Sequence, residues 1–443
     1  MKPFRLLPLF VAIGATFTLP VQAQSLVDLY QSARGYDATY QSAKSQFDAT
    51  LARADQAKAL LLPTVGLSLG ASVTHLDNTL VPPPQSSTSN FNTQSATVSA
   101  SQPLYRPANR ASYEQGIKQV DLAQAQLAAA NQDLIVRVSQ AYFDVLAAID
   151  NLTFVKAQKA AVGEQLASAK RNFEVGTATI TDTREAQARF DLGTAQEIAA
   201  ENDLRVKKIA LDQLVGMNNA QPQPLAQPVA LPTLVPKDVN AWVAQSESNH
   251  PGIRQTQVAL EVAQLETRKA QAGHKPTLDL TAGYNLTQNN GSASTSMDYR
   301  TNAGTIGLAF NLPLFAGFAI QNRVKETLAL EDKARSDLEA TKRAVAQGAR
   351  TAYFGVESGL GQVKALEAAE ASSQSALDAN KLGYQVGVRI NIDVLNSQSQ
   401  LYDTKAKLAK ARYDVLLGSL KLRQASGTLQ AQDLQGVNAL LAK

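Results

Sequence analysis

The sequence predicts an internally duplicated α+β membrane protein in which pairs of β-barrel strands continue into long α-helical coiled-coil arms. Three observations carry that prediction. The segment Phe173-Glu-Val-Gly-Thr-Ala-Thr-Ile-Thr-Asp182 returns as Tyr384-Gln-Val-Gly-Val-Arg-Ile-Asn-Ile-Asp393, with its aromatic, Val-Gly pair and closing Asp all displaced by 211 residues. Each copy lies between long proline-free runs whose apolar residues recur at alternating steps of four and three. Two pairs of shorter segments alternate apolar and polar residues with a period of two, the pattern of strands.

Residues 1–23 read as a secretory leader. Lys2 and Arg5 form its basic start, Leu6 to Leu19 its mostly apolar stretch, and Val21-Gln22-Ala23 meets the small-residue cleavage rule, leaving Gln24 first. Losing Lys2 and Arg5 lowers the net charge from +4 to +2, which gives no basic footprint for nucleic acid. The chain has no cysteine, so an exported destination supplies no disulfide. After the leader no apolar run approaches the ~18 residues of a spanning helix. Any membrane insertion would have to use strands.

The repetition extends beyond the tips. Ala141-Tyr-Phe143 recurs as Ala352-Tyr-Phe354, and Leu211 and Gly216 recur as Leu422 and Gly427, all at the same offset. Two repeats, 24–216 and 237–427, are joined by a Pro-rich linker over 217–236 and followed by a terminal segment, 428–443. Each repeat reads helix, strand, loop, strand, long helix, tip, long helix. The opening helices are expected at Tyr36–Leu61 and Gly252–Gly273. Strands are expected at 64–75 and 93–105, then at 277–287 and 303–315. Val65, Leu67, Leu69 and Val73 alternate with Gly66, Ser68, Gly70 and Ser72, and Ile306, Leu308 and Phe310 with Thr305, Gly307 and Ala309. Between the paired strands lie polar loops, Pro82–Asn92 and Gln288–Asn302. Apolar outside and polar inside is a membrane-barrel pattern, yet four strands cannot close a barrel, which needs about eight. The barrel reading therefore requires oligomerisation.

The helical seam runs Leu134, Val138, Ala141, Val145, Ala148, Leu152, Val155, Val162, Leu166, Ala169, Phe173. It is repeated as Val345, Ala349, Ala352, Val356, Gly359, Val363, Leu366, Leu377 and Tyr384. So thin a seam suits a wall wetted on both faces rather than a globular bundle. The span from Asn109 to Phe173 implies a helix of roughly 100 Å. At each tip, Gly176 or Gly387 breaks the helix, and Asp182 or Asp393 can cap the next. Catalysis finds no support. His75, His250 and His274 are too few and too scattered for a metal or acid–base set. Gly66-Leu-Ser68-Leu-Gly70 matches a nucleophile elbow, but Ser68 falls mid-strand instead of in a sharp strand-to-helix turn. Tyr142-Phe143 and Tyr353-Phe354 read as helix-packing aromatics.

With this order of elements, with Ala141-Tyr-Phe-Asp-Val-Leu-Ala-Ala-Ile-Asp150, with His274-Lys-Pro-Thr-Leu-Asp-Leu-Thr-Ala282 and with both tips, the chain resembles the TolC family of outer-membrane channels. That family serves bacterial efflux pumps and type I secretion systems. The resemblance implies a homotrimer in which each protomer gives four strands to a twelve-stranded barrel in outer-membrane lipid. The long helices would form a periplasmic tunnel, belted at its equator by 217–236 and 428–443. It implies a passive export duct for drugs, secreted proteins or both, neither an enzyme nor a cofactor binder. Its partners would be a periplasmic adaptor (membrane fusion) protein and an inner-membrane efflux or ABC transporter.

By the same resemblance, polar links hold the tips shut. They fall on Tyr384 and Arg389 of the second tip and on Thr181, Asp182 and Gln165 of the first hairpin, with Tyr384 able to hydrogen-bond Asp182. Asp182 could equally be a plain helix cap. The family's constriction carries two acidic residues one turn apart; here the first is Asp393 and the second position is Asn396. One carboxylate ring fewer predicts weaker cation selectivity and weaker block by multivalent cations than in a doubly acidic member. The rival reading is a trimeric surface adhesin with a coiled-coil stalk and barrel anchor. It would gather its four strands at the C-terminus, whereas here the pairs are split between the halves.

Overall fold

The computed structural model describes residues 23–80, 85–229, 231–292 and 294–442. The expected leader apart from Ala23, together with Pro82, Pro83 and Pro84 of the first polar loop and Ala293 of the second, lies outside these residues. The chain runs α1 (Leu26–Tyr36), α2 (Ala38–Ala59), β1 (Thr64–Leu80), β2 (Gln85–Tyr105), α3 (Pro107–Glu174) and α4 (Ile180–Val215). The same order follows again as α5 (Val239–Asn249), α6 (Pro251–Gln271), β3 (Thr277–Asn290), β4 (Asp298–Asn311), α7 (Ala319–Gln385) and α8 (Asn391–Ala425). A short α9 (Asp433–Asn438) comes last.

The four strands form one antiparallel sheet in sequence order, β1-β2-β3-β4. Its register separates two chemistries. One face aligns Val65, Ala100, Ala282 and Ile306 across the sheet, then Leu67, Val98, Tyr284 and Gly304. The other aligns Gly66, Ser99, Gly283 and Thr305, then Ser68, Thr97, Asn285 and Ala303. Leu67, Leu69, Val73, Ile306, Leu308 and Phe310 are all exposed in the single chain, an apolar surface that water does not favour. Among the described residues no helix is long and apolar enough to cross a membrane.

The strands extend further than their alternation indicated. β2 begins at Gln85 and β4 at Asp298, so parts of both expected loops belong to the ladder. Backbone pairing persists there because polar β-rich residues can stay in register without an apolar face. β4 ends at Asn311, short of the expected 315. Pro313 cannot donate to a ladder, and Gly317 and Phe318 turn into α7 with φ of 58° and 64°.

α3 has 68 residues and α7 has 67, each about 100 Å long. Pro107 starts α3 at a position where its missing N–H costs nothing. Arg106, just before it, donates through Nε to Asp279 of β3 at 2.7 Å, tying the helix to the sheet. The predicted seam is mostly buried, including Leu134, Val138, Val145, Ala148, Val162, Leu166 and Ala169, though Phe173 is exposed. Ile135, Tyr142, Phe143 and Leu146 bury a second stripe near the middle of α3. Against that stripe pack Leu26, Leu29, Tyr30 and Ala33 of α1, Ala220 and Leu225 of the linker, and Leu434, Val437 and Leu441. Each large aliphatic side chain buried there contributes roughly 1.5–3 kcal/mol. The opening helix expected at Tyr36–Leu61 is α2, and an unexpected helix, α1, precedes it, the two divided at Asp37, which ends one and begins the next.

That break has a counterpart. Asp37 accepts from the Tyr40 N–H at 2.8 Å to start α2, while its own N–H donates to Ala33. His250 does the same between α5 and α6, its Nδ1 accepting from Gly252 at 3.1 Å and its N–H donating to Ser246. The Arg137 guanidinium holds the Asp37 carboxyl below its usual range, and burial lowers the His250 imidazole. A base lowered by folding stabilises the fold fully above its unfolded pKa, about 6.5, and loses that stability as pH falls through the folded value. We therefore expect the melting temperature to fall as pH drops below about 6.5. His250→Asn, which keeps a capping side chain but does not titrate, should flatten that decline. An undiminished decline in the variant would contradict this role.

Candidate functional site

Both tips close by the same backbone device. At the end of α3, Gly176 (φ 79°) donates to Phe173 at 3.0 Å and Thr177 to Asn172 at 2.8 Å. At the end of α7, Gly387 (φ 81°) donates to Tyr384 at 3.2 Å and Val388 to Gly383 at 2.9 Å. This paired pattern satisfies the last helical carbonyls and needs a residue free to take positive φ.

The restarts differ. At the first tip Thr179 caps α4 through a reciprocal box: its hydroxyl accepts from the Asp182 N–H at 3.2 Å, and Asp182 Oδ2 accepts from the Thr179 N–H at 3.0 Å. Thr181, exposed beside it, shares a hydroxyl contact with Thr179. At the second tip Ile390 occupies the capping position and offers no side-chain acceptor. Asp393 is thereby left free of capping, and its Oδ2 lies 3.7 Å from Arg389 Nη1.

Arg389 fits there because of its neighbour. A Cβ on Gly383 would come within 2.7 Å of Arg389 Cγ, so the glycine makes room for the arginine stem. The first tip has Asn172 and Ala178 at the matching positions. Asn172 Nδ2 donates instead to the Tyr384 hydroxyl at 3.3 Å, joining the two tips. The Tyr384–Asp182 hydrogen bond that the resemblance implies is not formed among the described residues of the single chain, where the Tyr384 hydroxyl meets Asn172 and Asp182 Oδ2 meets Thr179. Gln165 is half-buried on α3, and Asn396 is exposed on α8. Arg189 of α4 reaches Asn396 Oδ1 through Nη2 at 3.0 Å, a second bridge between hairpins.

Sequence reasoning missed Asn172, Thr179, Arg189 and Gly383. The signal for all but Arg189 was in the repeat alignment, where Thr179 faces Ile390 and Asn172 faces Gly383. Two buried amides also stand out. Asn391 has both side-chain polar atoms, and Gln398 its Oε1, buried without a partner among the described residues. An unpaired buried polar group costs about 1–3 kcal/mol, which keeps this end of α8 only weakly held.

The site offers charge and hydrogen bonding. Among the described residues no cluster of His, Asp or Glu could hold a metal. Ser68 sits within β1 opposite Thr97, away from any strand-to-helix turn.

Comparison with known proteins agrees with this architecture. The family model described as "Outer membrane efflux protein" matches residues 29–217 and 242–428, one match in each half. Outer membrane protein TolC of Vibrio cholerae is 35% identical over 437 residues, covering 98% of both chains. Alkaline protease secretion protein AprF of Pseudomonas aeruginosa is 29% identical over 421 residues, covering 94% of this chain and 87% of its own. The crystal structure of VceC from Vibrio cholerae shares the fold with a TM-score of 0.76 at 20% identity, covering 91% of this chain and 96% of that one. The chain belongs to the outer membrane efflux protein family, the TolC-like outer-membrane channels with a periplasmic helical extension.

Proposed function

We propose that this chain is a passive export duct that works as a homotrimer and opens at its helical tips. The observation that carries the reading is a four-stranded sheet, apolar on one face, that runs directly into helices about 100 Å long. Three copies would bring four strands each to a total of twelve, with the apolar face against outer-membrane lipid.

The repeat supports a second-copy interface. Within the chain, Phe143 of α3 stacks on Tyr413 of α8 at 5.7 Å, and Leu417 and Leu420 of α8 are buried nearby. Their counterparts at the 211 offset are Phe354 on α7, and Asn202, Val206 and Ile209 on α4. Phe143 is 2% exposed whereas Phe354 is 53% exposed, and Val206 and Ile209 are exposed too. A neighbouring copy that set its α4 on α7 would repeat the internal seam and cover all of them.

The duct has no energy source of its own. An inner-membrane efflux or ABC transporter supplies it, and a periplasmic adaptor docks on the hairpins near the tips. The name of the AprF relative, a protease secretion protein, favours protein export, and the family description favours efflux. The adhesin reading is disfavoured because its four strands would be gathered at one end of the chain, and here they are divided between the halves.

In this reading Tyr384 and Arg389 latch the second tip against the first, where Asp182, Thr181 and Gln165 lie, and Asp393 and Asn396 line the constriction. Such wet polar links are worth about 0–1 kcal/mol each, so repetition by symmetry must hold the closed state. Tyr384→Phe with Arg389→Ser should raise single-channel conductance about twofold or more with the oligomer intact; unchanged conductance would sink the assigned links. Deleting the gene should raise drug susceptibility or abolish secretion of an exported protein, and the wild-type gene should restore it. A deletion strain normal in both respects would refute the duct.

A further inference from the structure

We infer that Arg189 sets the ionic preference of the periplasmic entrance and turns it toward anions. The inference rests on the proposed placement of Asp393 and Asn396 at that entrance and deepens it. Asn396 gives the second position no charge, and the hydrogen bond from Arg189 Nη2 to its Oδ1, at 3.0 Å, brings a guanidinium there instead. Among the described residues Arg189 makes no ion pair, and its side chain is given over to Asn396. The one acidic member of the pair, Asp393, already has Arg389 at 3.7 Å. The position one helical turn beyond Asp393 therefore carries positive charge in this chain.

The two residues come from different hairpins, α4 and α8, and no periodicity in either helix announces the contact. The repeat does not impose it either, since Arg189 corresponds to Gln400 and Asn396 to Glu185. The pair is a feature of this sequence rather than of the duplicated scaffold. Its functional consequence is a duct that admits anionic solutes more readily than one with two carboxylate rings. Asn396→Asp alone would then be a poor restoration, because the new carboxylate would form an ion pair with Arg189.

The test is the reversal potential in planar bilayers under a KCl gradient, measured for wild type, Arg189→Gln, Asn396→Asp, the two combined, and Asp393→Asn. Arg189→Gln keeps an amide able to hold Asn396 and removes only the charge. Taking three such charges about 10 Å from the ion path should raise the cation-over-anion permeability ratio roughly twofold at 0.1 M salt, and more at lower salt. Asn396→Asp should move the ratio less with Arg189 present than with Arg189→Gln. An unchanged potential in Arg189→Gln, or an Asn396→Asp shift indifferent to residue 189, would overturn the inference. Asp393→Asn separates the two levels. If it shifts the potential while Arg189→Gln does not, only the role of Arg189 fails. If neither shifts it, the placement of the entrance fails as well.

Discussion

The constraint on which the rest depends is the backbone of the two edge strands. β1 and β4 each pair on one side only, leaving a row of N–H and C=O groups unpaired along segments of 17 and 14 residues. In water such an edge is tolerable; against lipid each unpaired group costs several kcal/mol. The apolar face of the same sheet is exposed in the single chain, and against the lipid of the proposed barrel the two demands would meet in the same strands. Closure by further copies, as proposed, would satisfy both at once. It would also fix what the helices do, since α3 and α7 would leave the sheet as staves of the cylinder that the strands form. The Arg106–Asp279 pair holds one of those exits on the sheet.

Halfway down, the chain fastens its staves with its own linker. The Tyr142 hydroxyl donates to the Gln223 carbonyl at 2.8 Å, and the Tyr353 hydroxyl donates to that of Lys237. The repeated Ala-Tyr-Phe thus pins the two ends of the Pro-rich segment to the two long helices. Trp242 adds a third attachment through Pro236, at 2.9 Å. The tips lack any comparable core. They have two buried unpaired amides on α8, an exposed Arg389–Asp393 contact and two polar bridges between hairpins. Burial is concentrated around the linker and is sparse at the tips, a distribution that suits the proposed opening at the tips.

How much of this was legible in the sequence depends on whether a local rule encodes it. The strands were legible because Leu67 and Leu69 alternate with Gly66 and Ser68, and the tips because glycine and Asp punctuate an otherwise unbroken helical pattern. The outer reaches of β2 and β4 were not, since polar residues alternating with polar residues carry no periodic signal. α1 escaped notice because Leu26, Leu29, Tyr30 and Ala33 mark only three turns. The tip contacts lie furthest from reach. Asn172 and Tyr384, or Arg189 and Asn396, are more than 200 residues apart and meet only when two hairpins stand side by side. What the repeat does reveal is divergence. Thr179 against Ile390 explains why Asp182 is spent on capping while Asp393 remains available.

The exposed α7 and α4 surfaces are proposed as two sides of one seam completed by a neighbouring copy. The absence of cysteine makes it directly testable. Phe354→Cys combined with Asn202→Cys places thiols at the counterparts of the Phe143–Tyr413 stack. Treated with a short bifunctional thiol reagent in outer membranes, the double variant should yield covalent dimers and trimers, and each single variant none. A double variant that stays monomeric, while Phe143→Cys with Tyr413→Cys cross-links within the chain, would contradict the account.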